Sequence, residues 1–407
     1  MGAHRELLVV VLPTLFFALG LRTAPFGVAA LAIEDAPKGG RAFVLAASAT
    51  TLAALVLLWP RPASFWLGIG AVYAYFGAAS VIAWSAARLT LRAPFTFLSA
   101  LAIGLVAPGF LFSGPSRVVA VVLGFELSFK IHSYWIERQA GRATSQLGDA
   151  LMFLLVNPTL VYADRGVRAT ESPSWLGVGA RLTGAVALLV AHYTLSRLLP
   201  SAPIVERSMF GTLTFFVGVL IWLQLIVWYM AHSATASLQI VLMRGLGWKV
   251  PERYRYAFLA RSPEDFWRRW NTYLGVWFYR YVFLPVGLGV ARTRRLGSDA
   301  TKVLAVMTAF GLCGALHELS TYMDHRTLSG GAFLAFLFGG AVLVFWAAIA
   351  RSWRRFRNRG TAHVFYGVLE RGARILSPVL LIGLVTVLGS VFLPGLTGKR
   401  ASAEERR

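Results

Sequence analysis

The chain has 407 residues, of which 57% are hydrophobic and only 14% charged. Soluble globular domains carry about 25% charged residues, so the composition excludes a soluble protein and requires an integral membrane one. The 40 lysines and arginines outnumber 18 acids, for a net charge of +22, but they sit between apolar runs. There, membrane orientation and anionic head groups account for them, and no nucleic-acid partner is expected.

A membrane-spanning helix needs about 20 apolar residues. Residues 7–21 follow Arg5 and resemble a signal peptide, yet no small-residue cleavage site follows them, which predicts an uncleaved first span. Further apolar runs cover 42–60, 62–87, 93–116, 182–196, 208–243, 303–317, 327–350 and 375–398. The run at 208–243 is too long for one span and predicts a span plus a re-entrant or second piece. Shorter pieces at 23–33, 118–125 and 151–163 predict tilted or half-inserted segments capped by protein. The expectation is an all-α, polytopic membrane protein with about ten or eleven transmembrane helices. No transporter-type repeat and no soluble domain is visible.

Basic residues crowd at 244–295 and again at 351–374, which assigns both segments to the cytoplasmic side. The runs at 302–323 and 327–350 lie between them, joined by the short turn DHRTLSG, so the parity agrees. The single cysteine, Cys313, excludes an intrachain disulfide framework.

The segment that carries chemistry begins at Ser262-Pro263-Glu264-Asp265. Serine is a good N-cap, proline fits the first helical position, and an acid at the third position can cap back. Phe266, Trp270, Leu274, Trp277 and Tyr281 then recur at helical spacing as one aromatic stripe, with Arg268, Arg269 and Arg280 off it. Such a helix can be an interfacial anchor or the lining of a passage from the cytoplasm. Asn271 sits among the tryptophans, with Gly275 one turn on leaving its amide side uncovered. It can hold a substrate carbonyl or tie two helices together.

His317 lies at or within the membrane, with Ser320, Thr321 and Asp324 at i+3, i+4 and i+7 giving one polar helical face. An imidazole there can take a hydroxyl proton near neutral pH, or merely bond a carbonyl on a neighbouring helix. His132, in FKIHSYW beside Lys130 and Glu126, is a further candidate for the same cavity. No HxxxH, CxxC, paired-carboxylate, G-x-S-x-G or phosphate-cradling glycine motif occurs, so no metal site is expected.

The stretch KVPERYRYAFLARSPEDFWRRWNTYLGVWFYRYVFLPVG resembles the signature region of the membrane-bound O-acyltransferase family. There, an acid followed by FW-x-x-W precedes a His, Asn or Asp, and an intramembrane histidine follows. Asn271 and His317 match these positions and lie 46 residues apart (317 − 271). Asparagine at 271, the pair His317-Glu318, and the segments SFKIHSYW and FLLVNPTLVYADR are similar to the sterol and diacylglycerol acyltransferase branch. The wording PERYRYAFLARSPEDFWRRW is closer to the bacterial alginate O-acetyltransferase branch. The resemblance covers residues 126 to 323; residues 1–116 are N-terminal membrane helices of unassigned role, 117–400 the catalytic core, and 401–407 a charged tail.

The resemblance implies membrane helices around an intramembrane tunnel, in the cell inner membrane. The donor it implies is acyl-CoA, as a substrate and with no cofactor, and the acceptor is a hydroxyl of an envelope glycan or lipid-linked sugar. An accessory envelope protein would be a further partner, beside the membrane lipids. His317 would be the general base, and Asn271 would position the thioester or the oxyanion. Trp267, Arg268, Arg269, Trp270 and His132 would contact the substrates. The competing readings are acylation of a lipid alcohol, a transporter using His317 as a proton relay, and an inactive subunit.

Overall fold

The computed structural model describes residues 39–58, 61–90, 92–168, 173–198, 214–293 and 296–357. Helices dominate: α1 (Gly40–Leu58), α2 (Ala63–Ala86), α3 (Ala93–Leu101), α4 (Ala107–Leu111), α5 (Gly114–Gln139), α6 (Leu147–Leu151) and α7 (Trp175–Leu198). They continue as α8 (Thr214–Gly245), α9 (Pro263–Arg269), α10 (Thr272–Phe278), α11 (Leu284–Thr293), α12 (Ser298–His325) and α13 (Gly331–Arg357). Among the described residues, nine helical stretches are long and apolar enough to cross a membrane. The predicted spans at 7–21 and 375–398 and the short piece at 23–33 lie outside the described residues. A two-residue antiparallel pairing of β1 (Val167–Arg168) with β2 (Trp248–Lys249) is the exception to helix.

The chain divides into two units. The first takes in residues up to Tyr193 together with Met230–Arg253 and Ser320–Arg326. The second takes in Thr194–Tyr229, Tyr254–Leu319 and the residues from Thr327 onward. The boundaries at Tyr229/Met230 and Leu319/Ser320 fall within α8 and α12, and that at Arg253/Tyr254 falls between α8 and α9.

In the first unit α5 is the central element. Its charged residues interrupt the apolar run, which is why the sequence reads as a short piece at 118–125, yet the helix continues unbroken for 26 residues. Each charge has a partner. Glu126 pairs with Arg253 at 2.6 Å, Lys130 donates to the Leu154 carbonyl at 3.3 Å, and Glu137 pairs with Arg142 at 2.6 Å. Burying these groups without partners would be prohibitive in an apolar bundle. Apolar packing does the rest, with Phe76, Leu127, Ile131, Tyr134, Trp135 and Phe153 in one buried cluster.

Between α3 and α4 the helix widens into a π-turn at Ala102–Val106, and α5 crosses it closely. The crossing is made of Gly104, Gly124 and Ser128: a side chain on Gly124 would overlap the Gly104 carbonyl oxygen. The loosened carbonyl of Ile103 accepts from the Tyr75 hydroxyl at 2.6 Å. Small residues at such contacts let membrane helices approach each other. Gly124→Ala is therefore expected to destabilise the protein by about 3 kcal/mol, the upper range for overpacking. A thermal-unfolding series in detergent, with an outward-facing Gly70→Ala control, reads this out.

A further expectation needs correcting. The run at 208–243 does not split into a span and a second piece: α8 is one helix of 32 residues. Its sequence contains no proline, and at about 1.5 Å per residue it exceeds the hydrocarbon thickness without needing to break. The basic stretch 244–295, expected on the cytoplasmic side, contains an apolar part. Residues Thr272–Thr293 form a continuous helical rod of 22 residues, apolar enough to cross a membrane. Arg268 and Arg269 lie just before one end of it and Arg292 at the other.

Candidate active site

The second unit holds the signature segment from Tyr254 onward and His317. Ser262 begins α9 as its N-cap, and its Oγ accepts the Asp265 amide at 3.1 Å. Asp265, the acid at the third position, caps back on the Arg261 amide at 3.1 Å. Its carboxylate also takes Arg269 at 2.9 Å and Arg268 at 3.3 Å. The Arg269 hydrogen bond is the main cause that holds the Asp265 carboxyl below the usual carboxylate range. Partial burial opposes it, and the Arg261 amide and Arg268 add to it. A depressed folded pKa means that the stabilisation is present above about pH 4, the unfolded value, and is lost as pH falls through the lower folded value. Acidification is expected to loosen α9 in that window, seen in tryptophan emission, and Asp265→Asn is expected to abolish the pH dependence.

The single helix expected to carry the stripe from Phe266 to Tyr281 is broken. Trp270 is extended (φ −81, ψ 125) and Asn271 is left-handed (φ 35, ψ 65), so α9 ends and α10 starts anew. Asparagine tolerates this conformation better than other residues with a Cβ. Periodicity could not show the break, because the aromatic residues on its two sides happen to keep helical spacing. The asparagine itself, a favoured N-cap type, is the signal that points to it.

Asn271 occupies the N-cap position of α10, but its side chain makes no capping bond there. The backbone carbonyl of Asn271 accepts the Gly275 amide at 3.1 Å, while a Cβ on Gly275 would meet nothing within 4 Å. The break thus turns an asparagine amide away from helix capping, beside a glycine that leaves space.

Trp270 is packed rather than available. Its ring stacks on Trp228 (centroids 5.8 Å apart, 13° between planes) and on Phe266 (5.3 Å, 25°), with Tyr229, Tyr254 and Phe258 around it. Arg268 is 70% exposed, and both Arg268 and Arg269 pair with Asp265. Trp267 differs from these. Its ring meets Phe310 of α12 at 5.0 Å and Phe336 of α13 at 6.1 Å. Its indole Nε1 is buried and meets no hydrogen-bond acceptor among the described residues.

His317 is on α12, with its ring against the same Phe336 at 4.6 Å between centroids. Phe336 thereby connects α9 to the histidine. The His317 Nδ1 is 2.8 Å from the Cys313 carbonyl oxygen one turn back, and 3.8 Å from the Cys313 Sγ. A carbonyl oxygen only accepts, so Nδ1 carries the proton and donates it. In the neutral ring Nε2 then carries the lone pair. This carbonyl partner lies on the histidine's own helix.

Sequence reasoning missed the position of Glu318. Its carboxylate does not reach toward a substrate: it accepts from the amides of Ala332 at 2.7 Å and Ser329 at 3.3 Å, at the start of α13. His132 belongs to the first unit, edge-on to Phe97 with centroids 5.4 Å apart. The second unit therefore gathers Trp267, Trp270, Asn271 and His317, and His132 is not among them.

Comparison with known proteins bears on this arrangement. Residues 153–362, just over half of the chain, match the family model described as MBOAT, membrane-bound O-acyltransferase family. The chain is 31% identical over 87 residues to diacylglycerol O-acyltransferase 1 of Arabidopsis thaliana, covering 21% of this chain and 15% of that protein. It is 32% identical over 109 residues to a probable long-chain-alcohol O-fatty-acyltransferase 3 of the same plant, covering 26% and 31%. It is 29% identical over 76 residues to a teichoic acid D-alanyltransferase of Bacillus subtilis (strain 168), covering 18% and 19%. The matches thus span less than a third of each of these relatives. With the family match covering the signature helix pair, Asn271 and His317 alike, this multi-pass membrane protein belongs to the membrane-bound O-acyltransferase family.

Proposed function

We propose that the protein is an O-acyltransferase of the cell inner membrane that moves an acyl group from an acyl-CoA to a hydroxyl of an envelope glycan or lipid-linked sugar. The observation that carries this reading is the state of His317. Its Nδ1 is committed to the Cys313 carbonyl, which leaves Nε2 as the basic nitrogen. In the proposed reaction Nε2 takes the proton of the acceptor hydroxyl as its oxygen attacks the thioester carbonyl. The tetrahedral intermediate collapses with loss of the CoA thiolate, and the imidazolium returns the proton to the sulfur. Asn271 would donate its amide to the developing oxyanion, and the buried Trp267 indole N–H would serve as a second donor.

An unmet buried donor is unfavourable by about 1–3 kcal/mol, and a hydrogen bond to bound substrate would relieve that. Arg268 and Arg269 remain proposed contacts for donor phosphates, with Arg268 the more accessible. The transporter reading has less support. The acids Glu126, Glu137 and Glu318 within the helices are held in an ion pair with Arg253, an ion pair with Arg142 and a helix cap.

The second reading is acylation of a lipid alcohol, favoured by the relatives named for diacylglycerol and for long-chain alcohols. The relative named for teichoic acid favours the glycan. Membranes containing the overproduced protein, given acyl-labelled acetyl-CoA or oleoyl-CoA, separate the two. Label in the water-soluble glycan or the lipid-linked sugar fraction supports the first reading. Label in neutral lipid esters replaces it with the second.

A further inference from the structure

His317 is followed by an acid, and a histidine beside a glutamate invites a proton-relay reading. The geometry points to another role. The imidazole Nδ1 is held by the Cys313 carbonyl, and the Glu318 carboxylate is directed at the next helix. Glu318 is 8% exposed, so its charge needs internal partners. It finds them in the first-turn amides of α13, which have no intrahelical acceptor of their own. Oε1 accepts from Ala332 N at 2.7 Å and from Ser329 Oγ at 3.4 Å, and Oε2 from Ser329 N at 3.3 Å. Ser329 Oγ in turn accepts the Gly331 amide at 3.2 Å. A carboxylate at a helix N-terminus is also favoured by the helix dipole.

Two further contacts lie within a turn or so of this cap. On α12, Gly314 lies so close to α13 that a Cβ there would be 2.7 Å from the Phe333 Cα. On α13, Phe336 is one turn beyond Ala332 and packs on the His317 ring. The cap therefore fixes the height and rotation of α13 on α12, and with them the ring that lies against the imidazole.

We infer that Glu318 is a positioning residue: its carboxylate holds the N-terminus of α13 so that Phe336 fixes the His317 imidazole. The inference rests on the reading of His317 as the general base. Glu318→Ala is expected to lower kcat for acyl transfer by about 100-fold, the usual consequence of a misplacement near 1 Å, while the acyl-CoA KM stays within about twofold. Glu318→Gln keeps one oxygen acceptor and is expected to retain activity within about tenfold of wild type, with an unchanged pH–rate profile.

Two measurements need no acyl transfer. In Glu318→Ala, amide exchange at residues 329–333 is expected to accelerate, and carbethoxylation of His317 by diethyl pyrocarbonate, located by mass spectrometry, to rise several-fold. Glu318→Gln is expected to show neither change in full. If Glu318→Ala does not fold, Gly314→Ala displaces α13 independently and is expected to raise His317 carbethoxylation likewise. The inference is overturned if Glu318→Gln is as inactive as Glu318→Ala with a lost limb in its pH profile, which would mark a proton relay. It is also overturned if the amides or His317 reactivity do not respond. Absence of acyl transfer in the wild type would remove the enzymatic reading, and the exchange and modification arms would still decide the positioning.

Discussion

His317→Ala is expected to slow acyl transfer by about 10²–10⁴-fold, the range for loss of a general base. Binding of a non-hydrolysable acyl-CoA analogue should change little, because the ring is proposed to meet the acceptor proton rather than the donor. Isothermal titration and single-turnover kinetics on the same preparation separate these quantities. The tautomer argument adds a sharper expectation. Nδ1 is engaged with the Cys313 carbonyl, so only a replacement that offers a basic nitrogen at the Nε2 position can restore the rate. His317→Gln and His317→Asn should be as slow as the alanine variant. A variant that loses donor binding instead of the chemical step would contradict the assignment.

Asn271→Ala is expected to reduce kcat by about 10²–10³-fold, the effect of removing one donor to an oxyanion. The same variant tests the backbone as well as the amide, since alanine is disfavoured at φ 35 where asparagine is tolerated. Asn271→Gly serves as the control: it removes the amide but relieves the left-handed strain. Equal loss in both variants assigns the effect to the side chain, and recovery in the glycine variant assigns it to conformation. Trp267→Phe, which keeps the ring against Phe310 and Phe336 but removes the N–H, is the companion measurement.

Much of the fold was legible because apolar length is a direct record of membrane thickness. The run at 62–87 appears as Ala63–Ala86 almost residue for residue, while that at 93–116 ends early, as Ala93–Leu111. Legibility failed where polar groups are compensated in three dimensions. Glu126, Lys130 and Glu137 break the hydropathy of α5, and only their partners Arg253, Leu154 and Arg142 reveal a full-length helix.

At the site, residue type and spacing singled out Asn271 and His317, because asparagine among tryptophans and histidine in an apolar helix are both unusual placements. The conformation of Asn271 was hidden, since aromatic residues keep helical spacing across the break. So was the role of Glu318, whose partners lie 11 to 14 residues later in sequence. A local pattern cannot say which way a carboxylate turns.

Donor turnover by the purified protein bears most directly on acyl transfer at His317. Protein in lipid nanodiscs would be given acyl-labelled acetyl-CoA and, separately, labelled long-chain acyl-CoA, together with an extract of envelope glycans and lipids. Label should leave the thioester of one donor for an oxygen ester in the wild type, and remain on CoA with folded His317→Ala. Retention of label on CoA by folded wild type with every donor, or full transfer by the alanine variant, would contradict it.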